Sequence, residues 1–215
     1  MNDVSKERIQ VQVAPEILDR YVGAYRLADT LVMTVRREGD HLATRLAGQG
    51  WVEEFPTSDT EFFAKVVEAT QTFVVDEQGQ VVALVHHQNG RDTTLPRIDA
   101  AEAERMAANL AAKVKSQLAT PGSEAALRRN ISGLQSGNPI YSEMSPGLQE
   151  ATRDQLPRLK EDLNRLGAVE DVRFVGVGNQ GWDIYQVTYE SGSSIWRIHL
   201  AENGIVDGLL VQSGP

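Results

Sequence analysis

The sequence predicts an all-β antiparallel barrel joined by a helix to an α+β domain, and three observations predict it. Residues 15–100 hold about eight short alternating runs separated by turn signals and no long helical pattern. Residues 101–119 form an Ala-rich stripe with helical spacing, and after residue 120 two helical patterns give way to four strand patterns. A chain of 215 residues is long enough for two cores. The expected organisation is an N-terminal tail over 1–14, a barrel over 15–100, a linker helix over 101–119 and an α+β domain over 120–215.

Within the barrel, LVMTVRREGDHLATRL reads as a hairpin turning at Gly39-Asp40. Further strands are expected at WVEEF, EFFAK, TQTFVV, VVALVHH and DTTLPRI, with turns at Thr57-Ser58-Asp59, Asp76 to Gly79 and Asn89-Gly90. Closure into a barrel is favoured over an open sandwich because it leaves no edge strand. The linker helix places Met106, Leu110, Val114 and Leu118 on one stripe. It stops at Thr120-Pro121-Gly122, after which Ser123 is expected to cap a helix carrying Leu127, Ile131 and Leu134.

A longer helix is expected from Pro146 to Leu166, with Leu148, Thr152, Leu156, Leu159, Leu163 and Leu166 along its buried stripe and a bend at Pro157. Past Gly167 the period changes from 3.6 to 2, and strands follow at VEDVRFVGV, WDIYQVTYE, SIWRIHL and IVDGLLV. Helices followed by a meander place the helices on one face of an antiparallel sheet.

Composition excludes several function classes. Lys and Arg number 8 against 14 Asp and Glu in 15–100, and 8 against 12 in 120–215, within a formal net charge of −9. An acidic surface repels polyphosphate, and no basic cluster is interleaved with aromatics, so nucleic acid is not an expected partner. No apolar run approaches the length that spans a bilayer and MNDVSKERIQ has no apolar signal region, so no membrane partner is expected either. Without cysteine there is neither a disulfide nor a thiolate nucleophile. The expected compartment is cytoplasmic if the chain is complete as written, and periplasmic or otherwise extracytoplasmic if it is a fragment of a larger hydrolase.

The motifs that carry chemistry are incomplete. Gly176-Val177-Gly178-Asn179-Gln180-Gly181 matches a dinucleotide-binding string, but Trp182 opens a strand where that motif needs a helix, so the glycines are assigned to a hairpin. His86 and His87 are adjacent in a strand and face opposite ways. His41 and His199 stand apart from them, so neither a metal ligand nor a cofactor site is assigned. No serine is followed by lysine three positions on, and Gly-x-Ser-x-Gly is absent. The Asn130-Ile131-Ser132 sequon falls on a helix face, and the pairs Glu53-Glu54 and Glu161-Asp162 read as solvated charge.

Leu18-x-x-Tyr21-Val22-Gly23-x-Tyr25, with Leu31-x-Met33-x-Val35, Glu38-Gly39-Asp40-x-Leu42, Glu61-Phe62-Phe63 and Phe73-x-x-Asp76-x-x-Gly79, resembles a lipocalin-like (calycin) domain. That domain is appended to bacterial serine hydrolases of the β-lactamase and penicillin-binding-protein superfamily, and the resemblance covers about residues 9–99. Thr120 to Glu124, Gly181-Trp182-Asp183-x-Tyr185 and Trp196-Arg197-Ile198 resemble the cystatin-like segment that follows it, similar in fold to nuclear transport factor two. The resemblance implies a non-catalytic accessory region acting in assembly, substrate gating or ligand contact, with a serine hydrolase domain, a second copy or an apolar small molecule as partner. Hydrolase activity does not carry over, because the Ser-x-x-Lys pair is missing. The alternative is a free-standing small-molecule-binding protein or small enzyme using the C-terminal cone.

Strand parity assigns that cone. Val172, Phe174, Tyr185, Val187, Tyr189, Trp196, Ile198 and Leu200 are expected inside it, and Arg197 and His199 outside. The ligand-binding candidates are Tyr141, Tyr185 and Trp196, with Asp183 near the rim, and the cone is expected either to be filled by its own side chains or to hold an apolar ligand.

Overall fold

The computed structural model describes residues 8–28 and 30–214; the first half of the expected N-terminal tail lies outside them. Two compact units divide the chain, Met1–Leu110 and Ala111–Pro215.

The first unit is a closed barrel of eight antiparallel strands in sequence order: β1 (Gly23–Ala28), β2 (Leu31–Glu38), β3 (His41–Leu46), β4 (Val52–Pro56), β5 (Glu61–Ala64), β6 (Ala69–Val75), β7 (Val81–Gln88) and β8 (Arg91–Ile98). It closes where Ala24 and Tyr25 of β1 meet Ile98 and Arg97 of β8. The β7–β8 turn holds Asn89 and Gly90 at φ of 53° and 72°, the left-handed pair that matches strand twist in a two-residue hairpin.

Sequence periodicity did not show the short helix α1 (Pro15–Tyr21), which opens on a proline in its first turn. Leu18 and Tyr21 of α1 join Tyr25, Leu42, Phe62, Phe73, Leu84 and Leu95 in one core. The helix is pinned to the turns at one end of the barrel. Tyr21 Oη donates to Asp59 O at 2.7 Å, Arg20 donates to Gly79 O at 2.6 Å, and Arg37 of β2 donates to Asp19 at 2.6 Å. α1 therefore plugs the end bounded by the β2–β3, β4–β5 and β6–β7 turns.

Helix α2 (Ala100–Ser116) crosses from one unit into the other. Met106 and Leu110 are buried as expected, but Leu118 lies beyond the helix and is 68% exposed. Gln117 ends the helix at φ 51°, and its side-chain amide pairs with the Val177 backbone, donating to Val177 O at 3.1 Å and accepting from Val177 N at 2.9 Å. This moves the division earlier than the expected boundaries, which had 101–119 as a linker and the second domain from 120. The last turn of α2 and residues 117–120 are bound into the second unit.

That unit continues with α3 (Ser123–Ser136), a 3-10 turn (Tyr141–Glu143), α4 (Pro146–Leu166) and the strands β9 (Val169–Val177), β10 (Asp183–Tyr189), β11 (Gly192–Leu200) and β12 (Val206–Ser213), paired in the order β12-β11-β10-β9. Ser123 is not the cap it was expected to be. Gly122 takes that place at φ 85°, and the Ser123 hydroxyl is buried against Tyr185 Oη at 2.7 Å. Leu127, Ile131 and Leu134 of α3 and Leu163 of α4 pack on Val172, Tyr185, Val187, Trp196 and Ile198 of the sheet. α4 continues through Pro157. The Gly176 to Gly181 string forms the β9–β10 turn, with Gly178 N donating to Trp182 O at 2.9 Å. No helix among the described residues is long and apolar enough to cross a membrane.

Candidate functional site

The residues singled out from sequence in the second unit are not assembled around an open site. Tyr185 and Trp196 are each 1% exposed, share the core with Phe174, and have their polar atoms occupied. Tyr185 Oη pairs with Ser123, and Trp196 Nε1 donates to Tyr189 Oη at 3.0 Å. Burial raises the hydroxyl pKa of both Tyr185 and Tyr189. Tyr141 sits apart in the 3-10 turn with the Arg153 guanidinium 4.5 Å above its ring.

Asp183 lies on the buried sheet face, 1% exposed, and both of its oxygens are engaged: Oδ1 accepts from Lys113 Nζ at 2.7 Å and Oδ2 from Thr120 N at 2.8 Å. Lys113 also donates to Leu118 O and Thr120 Oγ1, so this carboxylate anchors the end of α2. On the other sheet face Arg197 donates to Gln212 at 2.7 Å. His199 shares that face but is only 6% exposed, paired with Asp207 and stacked on Trp182 at 6.2 Å. Asn130 of the sequon is buried, and its amide donates to Ala126 O at 2.9 Å, so a sugar has no access to it.

The unexplained polar chemistry is inside the barrel. Directly paired strand residues share a face, so Leu42, Glu54 and Ala64 point the same way, as do Phe62, Gln71 and His86. Leu42 and Phe62 belong to the core, which places Glu54, Gln71 and His86 in the lumen with them. Glu54 is therefore not the solvated charge expected from the Glu53-Glu54 pair. It is 2% exposed, while the Glu53 side chain is 63% exposed on the outer face.

Glu54 Oε1 accepts from Thr44 Oγ1 at 3.1 Å and from Gln71 Nε2 at 3.4 Å, and Gln71 Nε2 also donates to His86 Nδ1 at 2.8 Å. Burial pushes the Glu54 carboxyl up to about 7, against the lowering effect of the Thr44 and Gln71 hydrogen bonds. Between pH 4.5 and 7 the unfolded chain has lost this proton and the folded chain keeps it, so barrel stability falls as pH rises through that window. The expected loss is about 3 kcal/mol between pH 4.5 and 8, and Glu54→Gln removes it. Urea unfolding of both proteins across that range measures the difference; parallel curves would refute it.

On the outer face β2, β3 and β4 bring Glu38, His41 and Glu53 together, with potential ligand atoms within 4.8 Å of one another. Glu38 is paired with Arg36, and His41 pairs with Asp40 at 3.1 Å and stacks on Phe55 at 4.9 Å. His41 Nε2, 3.5 Å from Glu53 Oε1, is buried and makes no hydrogen bond among the described residues.

Comparison with known proteins finds similarity over part of the chain. Over 61 residues the chain is 38% identical to "Penicillin-binding protein 4*" of Bacillus subtilis (strain 168), a stretch that is 28% of this chain and 14% of that protein. The chain thus matches about one seventh of that relative's length. Residues 7–103, the span that builds the barrel and the start of α2, match the family described as Domain of unknown function (DUF3471).

Proposed function

We propose that this protein is a non-catalytic accessory module of the kind appended to penicillin-binding-protein-type serine hydrolases, and that its barrel lumen contacts a small ligand. On this reading the barrel is lipocalin-like and the second unit cystatin-like. The observation that carries the ligand reading is the lumenal group of Thr44, Glu54, Gln71 and His86. A buried carboxylate with a raised pKa opposes folding at neutral pH, and such groups concentrate where a protein binds or reacts. The α1 plug supports a single approach to it, from the opposite end of the barrel. The incomplete nucleophile motifs and the engaged Asp183 and His199 side chains support a role outside hydrolysis.

The test is a nuclear magnetic resonance titration of the full chain with a fragment set covering neutral, anionic and cationic classes, alongside a chromogenic β-lactam assay. Saturable shifts centred on Thr44, Glu54, Gln71, Ala64 and Ala69, with no turnover, are the expected result. Shifts confined to residues outside the lumen would reject the ligand reading. Turnover that survives repurification and is abolished by changing one serine would reject the non-catalytic one.

A further inference from the structure

With Glu54 ionised, the lumenal group has more acceptors than donors. Thr44 Oγ1 gives its proton to Glu54 Oε1, and Gln71 Nε2 is shared between Glu54 Oε1 and His86 Nδ1. The other ring nitrogen, His86 Nε2, lies 3.4 Å from Gln88 Oε1. Glu54 Oε2 and Gln71 Oε1 are buried, and no described residue donates to either. Both side chains belong to residues 2% exposed, and the carboxylate and amide are in contact with each other. A buried acceptor left without a donor is destabilising, more so when charged, so the pair favours any group that supplies donors.

The surroundings narrow the kind of group. Lys65 is the lysine of the adjoining β5–β6 segment, and it faces away, with Nζ over the Phe55 ring at 3.4 Å on the outer surface. Arg97 reaches the lumen side at the plugged end, where it is committed to Arg20 O and Val22 O. Toward the end opposite α1, the positions on β3 to β6 with the same strand parity as Glu54 and Gln71 are Leu46, Val52, Ala64 and Ala69, all apolar and two of them small, while β7 and β8 carry Gln88, Thr93 and Arg91 on that face. A donor-rich cation matches the acceptors, and a short aliphatic body matches the four apolar side chains.

We propose that the barrel lumen binds a primary amine, its ammonium group donating to Glu54 Oε2 and Gln71 Oε1 and its alkyl chain packing among Leu46, Val52, Ala64 and Ala69. The proposal rests on the lumen being the ligand site. The ammonium replaces its lost hydration with two or more hydrogen bonds, at least one of them to a carboxylate, which is the condition under which burying a charge is tolerated. The alkyl part gains the usual burial free energy of apolar surface.

Three probes with the same four-carbon chain separate the possibilities: n-butylammonium chloride, n-butanol and sodium butyrate, titrated into the labelled full chain at constant ionic strength. The expected result is saturable movement of the Gln71 side-chain amide and the Ala64 and Ala69 methyl signals by butylammonium, at least tenfold tighter than by either other probe. Glu54→Gln weakens the amine at least tenfold while its spectrum retains the barrel dispersion. The probe comparison needs no variant, so it decides the matter even where that substitution disturbs folding. Stronger binding of butanol or butyrate at the same signals overturns the amine assignment and leaves the lumen as the ligand site. No movement by any probe, as for a lumen that takes up only water, overturns the amine proposal. If the wider fragment set is silent too, the ligand reading fails with it. Undiminished amine binding by Glu54→Gln also overturns the proposal.

Discussion

Asp183→Ala lowers the stability of the second unit by about 3–5 kcal/mol, the range for removing one partner of a buried charge pair. Its carboxylate is the acceptor for both Lys113 Nζ and Thr120 N, and it is 1% exposed while the Lys113 side chain is 23% exposed. Without it the Thr120 amide loses its partner and the lysine ammonium is left partly desolvated. The double variant with Lys113→Met then loses less than the sum of the two single variants, because the pair is counted once. Urea unfolding followed by amide signals of β9 to β11 measures this. A single-variant loss under about 1 kcal/mol would mean that water replaces the carboxylate and that α2 is not anchored there.

The same contacts bear on how the stretch between Ser116 and Ser123 meets a protease. Thr-Pro-Gly after a helix, read by composition alone, suggests a flexible inter-domain segment. In the structure Lys113, Gln117 and Thr120 hold that stretch to β9 and β10 through side chains and backbone. Hydrogen-bonded backbone resists proteases, so first cleavage is expected elsewhere in the chain.

Tyr21→Ala costs the barrel about 3–5 kcal/mol, the range for truncating a buried aromatic ring. Its ring stacks on Phe73 at 4.1 Å and meets Phe62 edge-on at 5.7 Å, and its carbonyl accepts from Tyr25 Oη at 2.8 Å. Truncation leaves a cavity at the plugged end that the closed barrel cannot collapse to fill. Tyr21→Phe keeps the ring and loses only the bond to Asp59 O, so it costs about 1 kcal/mol. Thermal unfolding of the two variants gives the comparison. Equal losses would mean that the hydroxyl, not the ring, holds α1 in place.

The barrel strands were legible because each carries turn chemistry at its ends and alternation between them. The α1 helix was not: PEILDRY is too short to show a helical period, and its stability comes from Leu18 and Tyr21 entering a core built by strands far along the chain. The position of Glu54 was also hidden. In Val52-Glu53-Glu54-Phe55-Pro56 both parities contain an apolar residue, so alternation does not choose which glutamate turns inward. Register with Leu42 and Phe62 makes the choice, and register is a property of the assembled barrel.

Sequence by itself placed seven of the eight barrel strands, the helix-then-meander order of the second unit, and the faces of β10 and β11, because local period and turn residues act over a few positions. It also determined that Asp183 faces inward. Tertiary structure alone decided what Asp183 meets, since Lys113 is 70 residues away in the chain and reaches it only once α2 has ended at Gln117. It likewise decided that Thr44, Glu54, Gln71 and His86 converge. They sit on four strands, β3, β4, β6 and β7, and closure of the sheet buries Glu54 and Gln71 with one acceptor on each that no described residue meets with a donor.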